Sequence, residues 1–258
     1  MDNCLGGVLM SYARAAQVAR RRAAAGAVAD EELLPEFDFA AGAGVTSISM
    51  DLHKFGGMPK GASVVAFRSP ALRAHAYTTV SDWPGGLYAT PTLVGSRSAA
   101  PGVVAWATLR ATGGAAIAAA ATATHGPHTR LRAAIAANPH LRLLGAPTAA
   151  VVAFTTAPGT PFSIYALVAR MEARGWHLTS LHRPAGAHVC VSERFAELLD
   201  AWVADLSACV TAALAAPRDP AFEGKGNAGI YGAATVLPPG EVSGILTRYC
   251  DILTLVRK

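Results

Sequence analysis

Charge is what this sequence has least of. Only 15% of its 258 residues are Asp, Glu, Lys or Arg, where an ordinary soluble domain has ~25%. With 52% hydrophobic residues, that scarcity excludes a disordered chain and predicts one that buries a sizeable core. Runs such as GGAAIAAAATAT raise the apolar share without adding bulky side chains. Dense basic clusters are also missing. The net charge of +5 permits an anionic partner. However, the one concentration of positive charge, Arg20-Arg21-Arg22, is too short for a nucleic-acid footprint and has no interleaved aromatics. It reads as a solvated helix face. The four cysteines include no CxxC pair, which argues against a zinc site or a disulfide framework and for a reducing compartment. No basic leader follows Met1, so no signal peptide is expected. The longest apolar stretch, Val103 to Thr124, is interrupted by Arg110 and by Gly113-Gly114. It reads as a buried helix with a break, since a membrane span needs about 20 consecutive apolar residues.

What is present falls into two textures, with a boundary expected near residue 125. Before it, Cys4–Ala29 is helix-like, Val45–Met50 and Ala62–Phe67 read as buried strands, and Ser81–Pro101 is a loop rich in Gly, Pro, Ser and Thr. A loop of that length inside a compact domain is usually functional. Beyond the boundary the pattern is regular: TRLRAAIAAN, LRLLG, AVVAFTT, SIYALVARMEARG, WHLTSLH, AHVCVS and ERFAELLDAWVADLSACVTAAL. That is helix, two strands, helix, two strands and a long final helix, a small α+β layer. No internal repeat is visible.

One segment, SISMDLHKFGGMPKGAS (Ser47 to Ser63), pairs a histidine with a lysine at the end of an apolar strand. On its own, the dipeptide is most simply a solvated sheet rim. Gly56, Gly57 and Gly61 change that reading, because they allow close backbone approach. An amine held against an apolar strand end has its pKa lowered by desolvation, as a nucleophilic lysine requires.

Together DNCLGG, EFDF, GVTSISMDLHKFGGMPKGASVV, DWPGGLYATPTLVGSR, RGWHLTSLHRP and GNAGIYGAA occur in an order that resembles the sphingosine-1-phosphate lyase family, within the pyridoxal-phosphate decarboxylase group of fold type I. The resemblance implies an α/β fold. Residues 1–124 would be the C-terminal part of the cofactor-binding large domain, and residues 125–258 a small α+β domain. It implies pyridoxal 5'-phosphate as cofactor, with Lys54 condensing with its aldehyde, Asp2 keeping its pyridine nitrogen protonated and His53 touching its phosphate. By the same resemblance Ser96 would reach a phosphate across a homodimer interface. Lys60 would be a second lysine near the reacting centre, shuttling protons or balancing phosphate charge. The implied substrate is a phosphorylated sphingoid base, cleaved to a fatty aldehyde and phosphoethanolamine. The implied location is the endoplasmic reticulum membrane, facing the cytosol, in a eukaryote, and the cytoplasm otherwise.

Two departures stand out. Family members carry a long stretch before the aspartate matched by Asp2, so a truncated gene model is expected, and the 258 residues alone are not expected to turn over. Ser11–Glu36 is longer than the family pattern and reads as a surface helical insertion. An amino-acid decarboxylase of the same group shares the Asp, His and Lys chemistry, but DWPGGLYATPTLVGSR looks like the lyase. A non-catalytic remnant keeping a dimerising surface is the third reading. His177, His182 and His188 do not assemble a metal site, and Tyr88 and Tyr231 receive no role.

Overall fold

The computed structural model describes residues 2–23, 39, 44–146, 150–223 and 226–254. These divide into two compact units. The first comprises residues up to His125 together with Ala150, and the second the described residues from Gly126 onward apart from Ala150.

In the first unit, helix α1 (Gly7–Ala23) buries Val8, Leu9, Met10, Ala13 and Gln17 on one face and leaves Arg20 and Arg22 in solvent. Residues 11–23 are helical with arginines at the surface, and the inner side of the helix is fixed by the buried Ala13 and Gln17. The remainder of the expected insertion, like most of EFDF, lies outside the described residues. Strands β1 (Ser47–Asp51) and β2 (Ser63–Phe67) form an antiparallel pair with Ser47 opposite Phe67 and Asp51 opposite Ser63. The expectation of buried strands fails for β2. Val64 and Val65 are exposed, and β1, against which α1 packs, is half-buried along its length. Helix α2 (Pro70–Ala74) starts at Ser69, whose side chain accepts from Leu72 N, the usual N-terminal cap. The expected loop after Ser81 contains a strand: β3 (Thr78–Val80) pairs antiparallel with β4 (Tyr88–Thr90).

Helix α3 (Ala100–Ala136) breaks at Gly113 (φ 72°, ψ 157°), where the glycine pair anticipates it. Its first half is not buried, though. Val103 is 62% and Trp106 66% exposed. By length and composition α3 and the later helix Glu193–Ala215 (α5) are long and apolar enough to cross a membrane. α3 is broken in its middle, and α5 packs a hydrophobic stripe into a core.

The second unit is built on that core. Its sheet is antiparallel in the order β5 (Leu141–Leu143), β6 (Val151–Thr156), β8 (Gly186–Cys190), β7 (Thr179–Leu181). The β-branched run of β6 suits a strand, and Val152 and Phe154 point to the same, fully buried face. Against it pack Leu131 and Ile135 of α3, helix α4 (Ile164–Glu172) and helix α5 (Glu193–Ala215). Ser163 caps α4 and Ser192 caps α5. Trp202 of α5 meets Phe154 and Phe195 edge-on, with centroids at 6.4 and 6.0 Å. Arg170 of α4 is buried, donates to Ala216 O at 3.0 Å and lies 4.2 Å over the Phe222 ring. The order of elements through α5 is the expected one. α5 is not the last helix, however. α6 (Gly226–Val236) and α7 (Pro239–Thr254) follow, and α6 sets Tyr231 against Tyr165 with centroids at 5.7 Å.

Candidate active site

The candidate site grows from the end of β1. The chain start runs parallel along this strand. Asp2 bridges Ser49, Asn3 N donates to Ser49 O at 3.0 Å, and Asp51 N donates to Cys4 O at 3.1 Å. That strip places Asp2 and Cys4 beside the turn carrying the lysine. Asp2 Oδ1 accepts from Cys4 N at 2.9 Å and from Ser49 Oγ at 3.0 Å. Chiefly through these hydrogen bonds, the backbone one first, its carboxyl is held below its ordinary value. Asp2 is therefore an ionised carboxylate at neutral pH.

The turn after β1 is tight. A Cβ on Gly56 would stand 2.4 Å from Leu52 O, and Gly57 has φ 67°, so both positions need glycine. The turn leaves Lys54 exposed at the rim, with its Nζ 3.2 Å from Cys4 Sγ and 3.0 Å from Asp51 Oδ2. The hydrogen bond to Cys4 and then that to Asp51 raise the pKa of this amine, outweighing desolvation. The expectation of a lysine depressed by burial is overturned here, because the side chain keeps 35% of its exposure and has an acid partner.

His53 is tied down from the other side. Its Nδ1 lies 3.0 Å from Ala62 O. Since a carbonyl only accepts, Nδ1 carries a proton, and Nε2 faces Asp51 Oδ2 at 3.8 Å. The fold thus brings Asp2, His53 and Lys54 to one strand end. Lys60 sits exposed in the following turn. Ser96 is exposed in a separate loop, where Thr90 and Thr92 both donate to Val94 O at 2.9 Å and Arg97 donates to Thr92. No hydrogen bond or ion pair joins Ser96 to the lysine cluster among the described residues. The sequence reading missed Cys4, Asp51, Ser49 and Ser63. Of these only Asp51 left a local signal, its i,i+3 spacing to Lys54.

No family model matches the chain. Curated proteins do. It is 32% identical to the sphingosine-1-phosphate lyase of Arabidopsis thaliana over 97% of its own length, and 33% identical to that of Dictyostelium discoideum over 98%. Among solved structures, a sphingosine-1-phosphate lyase of Burkholderia pseudomallei superposes with a TM-score of 0.75 at 32% identity, covering 99% of this chain. This chain is a relative of the sphingosine-1-phosphate lyases. It spans 42% and 44% of the two curated relatives and 49% of the solved chain, so the likeness is to part of those enzymes. A glutamate decarboxylase of Lactobacillus brevis, at TM-score 0.56 and 17% identity over 81% of the chain, shares the fold alone. The fold-type-I architecture expected from the motifs is the one the lyase likeness gives.

Proposed function

We propose that this chain carries the lysine end of a pyridoxal-phosphate-dependent carbon–carbon lyase that acts on phosphorylated long-chain amino alcohols. The supporting observation is the juxtaposition of Asp2 and Lys54, joined through Cys4, in a chain that resembles the lyases over nearly its whole length.

These residues fit the cofactor. An ionised carboxylate and a primary amine on one strand end suit a pyridinium nitrogen and an aldehyde at two ends of one ring. When bound, the cofactor supplies an electron sink for the carbanion left by cleavage between the α and β carbons. Lys54 would hold the cofactor, and its amine is a nucleophile only once it has lost its proton. Asp2, kept ionised by the Cys4 amide and Ser49, would hold a proton on the ring nitrogen. His53, its ring fixed by the Ala62 carbonyl, stands beside Lys54 as the candidate phosphate contact. Lys60 is the candidate for moving the substrate hydroxyl proton or balancing phosphate charge. Ser96 is assigned to the partner's site in a homodimer, consistent with its exposed loop and its lack of a tie to Lys54. The location follows the same reading: endoplasmic reticulum membrane in a eukaryote, cytoplasm otherwise. A decarboxylase shares the fold, but the identity is 17% on that side and 32% on the lyase side.

Borohydride reduction after incubation with pyridoxal phosphate, followed by peptide mapping, tests the assignment. The pyridoxyl label is expected on Lys54 and to disappear in Lys54→Ala. A label on Lys60 instead would overturn the lysine assignment. In the complete gene product a phosphorylated sphingoid base should yield a long-chain aldehyde. Carbon dioxide release from an amino acid in its place would favour the decarboxylase.

A further inference from the structure

The Lys54 amine is held by an acid that is itself held. Asp51 uses its two oxygens differently. Oδ1 accepts from Ser63 Oγ at 2.6 Å, and Oδ2 stands 3.0 Å from Lys54 Nζ. Ser63 is the residue directly opposite Asp51 in the β1–β2 register, so the carboxylate takes its position from the strand pair and not from the loop. The i,i+3 spacing then brings the amine to it wherever the turn forms. The other groups facing the amine are the Cys4 thiol at 3.2 Å, the Asp2 carboxylate behind it and the His53 ring, whose Nε2 shares Asp51 Oδ2 at 3.8 Å. Among these partners Asp51 is the charged group in direct contact.

We infer that Asp51 is the positioning residue of Lys54, holding the free amine as a cation at one fixed place until a carbonyl compound takes it. The inference rests on the reading of Lys54 as the amine that meets the cofactor aldehyde. A carboxylate in contact with an ammonium group favours the charged form, so Asp51 opposes the proton loss that makes Lys54 a nucleophile. It thereby sets the pH above which capture begins. It also keeps the side chain, otherwise free to rotate in solvent, on the side of the strand end where Asp2 lies. The pair is partly exposed, so salt weakens it.

The test needs no cofactor. Reductive methylation with 13C-formaldehyde labels the lysines, and the signal lost in Lys54→Arg is that of Lys54. Its titration midpoint is then followed by NMR. Asp51→Asn is expected to move the Lys54 midpoint to lower pH, and Asp51→Glu, which keeps the charge, to return it towards the parent value. In the unmutated chain, raising salt to about 1 M, where the screening length is ~3 Å, should lower the Lys54 midpoint as well. A second readout is the pH profile of borohydride-trapped pyridoxal phosphate on Lys54, which should shift down with the midpoint in Asp51→Asn. A midpoint unmoved by both Asp51→Asn and salt overturns the inference. So does a shift produced by Cys4→Ser and not by Asp51→Asn, which gives the role to the thiol. Absence of any pyridoxyl label at any pH removes the proposed function instead, and the amine titration still decides on Asp51.

Discussion

The two units spend the same kind of side chain in opposite ways. In the second, Phe154, Leu167, Met171, Leu199, Trp202 and Leu206 are all but inaccessible, drawn from one strand and two helices onto one interior. In the first, Trp83, Leu87, Leu93, Val103 and Trp106 lie in solvent, and the buried clusters are a few residues each. Composition does not separate the units; coverage does. The four-stranded sheet of the second unit has its own helices to cover it, while β1–β2 and the first half of α3 have apolar faces with little of their own to cover them. Exposed patches of that kind mark contact surfaces. The candidate site sits in the unit with the lesser core, so its geometry rests on local devices: the glycine turn, the Asp51–Ser63 pair and the strip from Asp2 to Cys4. The second unit is not uniform either, since Ile245, Leu246, Ile252 and Leu253 of α7 are also exposed.

The sharpest way to break this contrast is to remove a tryptophan from each unit. Trp202→Ala empties a site that is 1% exposed and should cost ~3–5 kcal/mol, the range for large aromatic deletions from a core. Trp106→Ala, in solvent, should stay within about 0.5 kcal/mol. Urea unfolding followed by circular dichroism measures both. A loss at Trp106 as large as that at Trp202 would mean that the α3 face is covered in solution, and the contrast would fall.

A smaller effect is expected from the helix caps. Ser192 accepts from Phe195 N at the start of α5, a helix rooted in the core, so Ser192→Ala should cost about 1 kcal/mol of the second unit's stability. Ser69 makes the equivalent bond to Leu72 N, but α2 is five residues long and buries nothing. Ser69→Ala should leave that unfolding transition where it was. Equal shifts from the two substitutions would show that the units unfold as one.

How far these features could be read in advance follows the same division. In the second unit local pattern and tertiary outcome agree. SIYALVARMEARG has a serine at its start, a glycine after its end and an apolar stripe between, and it folds as α4 with Ser163 as cap. The break in α3 was legible because Gly113-Gly114 interrupts an otherwise helical run. Burial in the first unit was not, because it depends on what covers a strand, and Val64 and Val65 look the same covered or bare. α6 escaped because GNAGIYGAATV is rich in glycine, a weak helix former, and its packing against α4 and β7 is what marks it. At the site, Asp51 was readable from its spacing to Lys54. Cys4 was not, since it reaches the amine from 50 residues away through the strip paired to β1.

The finest distinction is one of pH. Asp205 accepts from Trp176 Nε1 at 2.8 Å and pairs with Arg174. The indole hydrogen bond first, and the guanidinium second, hold its carboxyl below the ordinary value. A carboxyl depressed in the folded state contributes stability above its unfolded pKa of ~3.9. That contribution is lost as pH falls through the folded pKa, because the unfolded chain then binds the proton more readily. The second unit should therefore lose part of its urea resistance between about pH 5 and pH 2. Asp205→Asn keeps a carbonyl for the indole but cannot titrate, so it should flatten that slope. Asp51 is depressed in the same sense, by Ser63 first and then Lys54, but it belongs to the first unit. Asp51→Asn should leave the slope of the second unit unchanged while altering the titration of Lys54. If Asp205→Asn reproduces the parent slope, the Trp176–Asp205 bond does not persist in solution. If Asp51→Asn flattens the slope instead, acid sensitivity is shared between the units and their independence is lost.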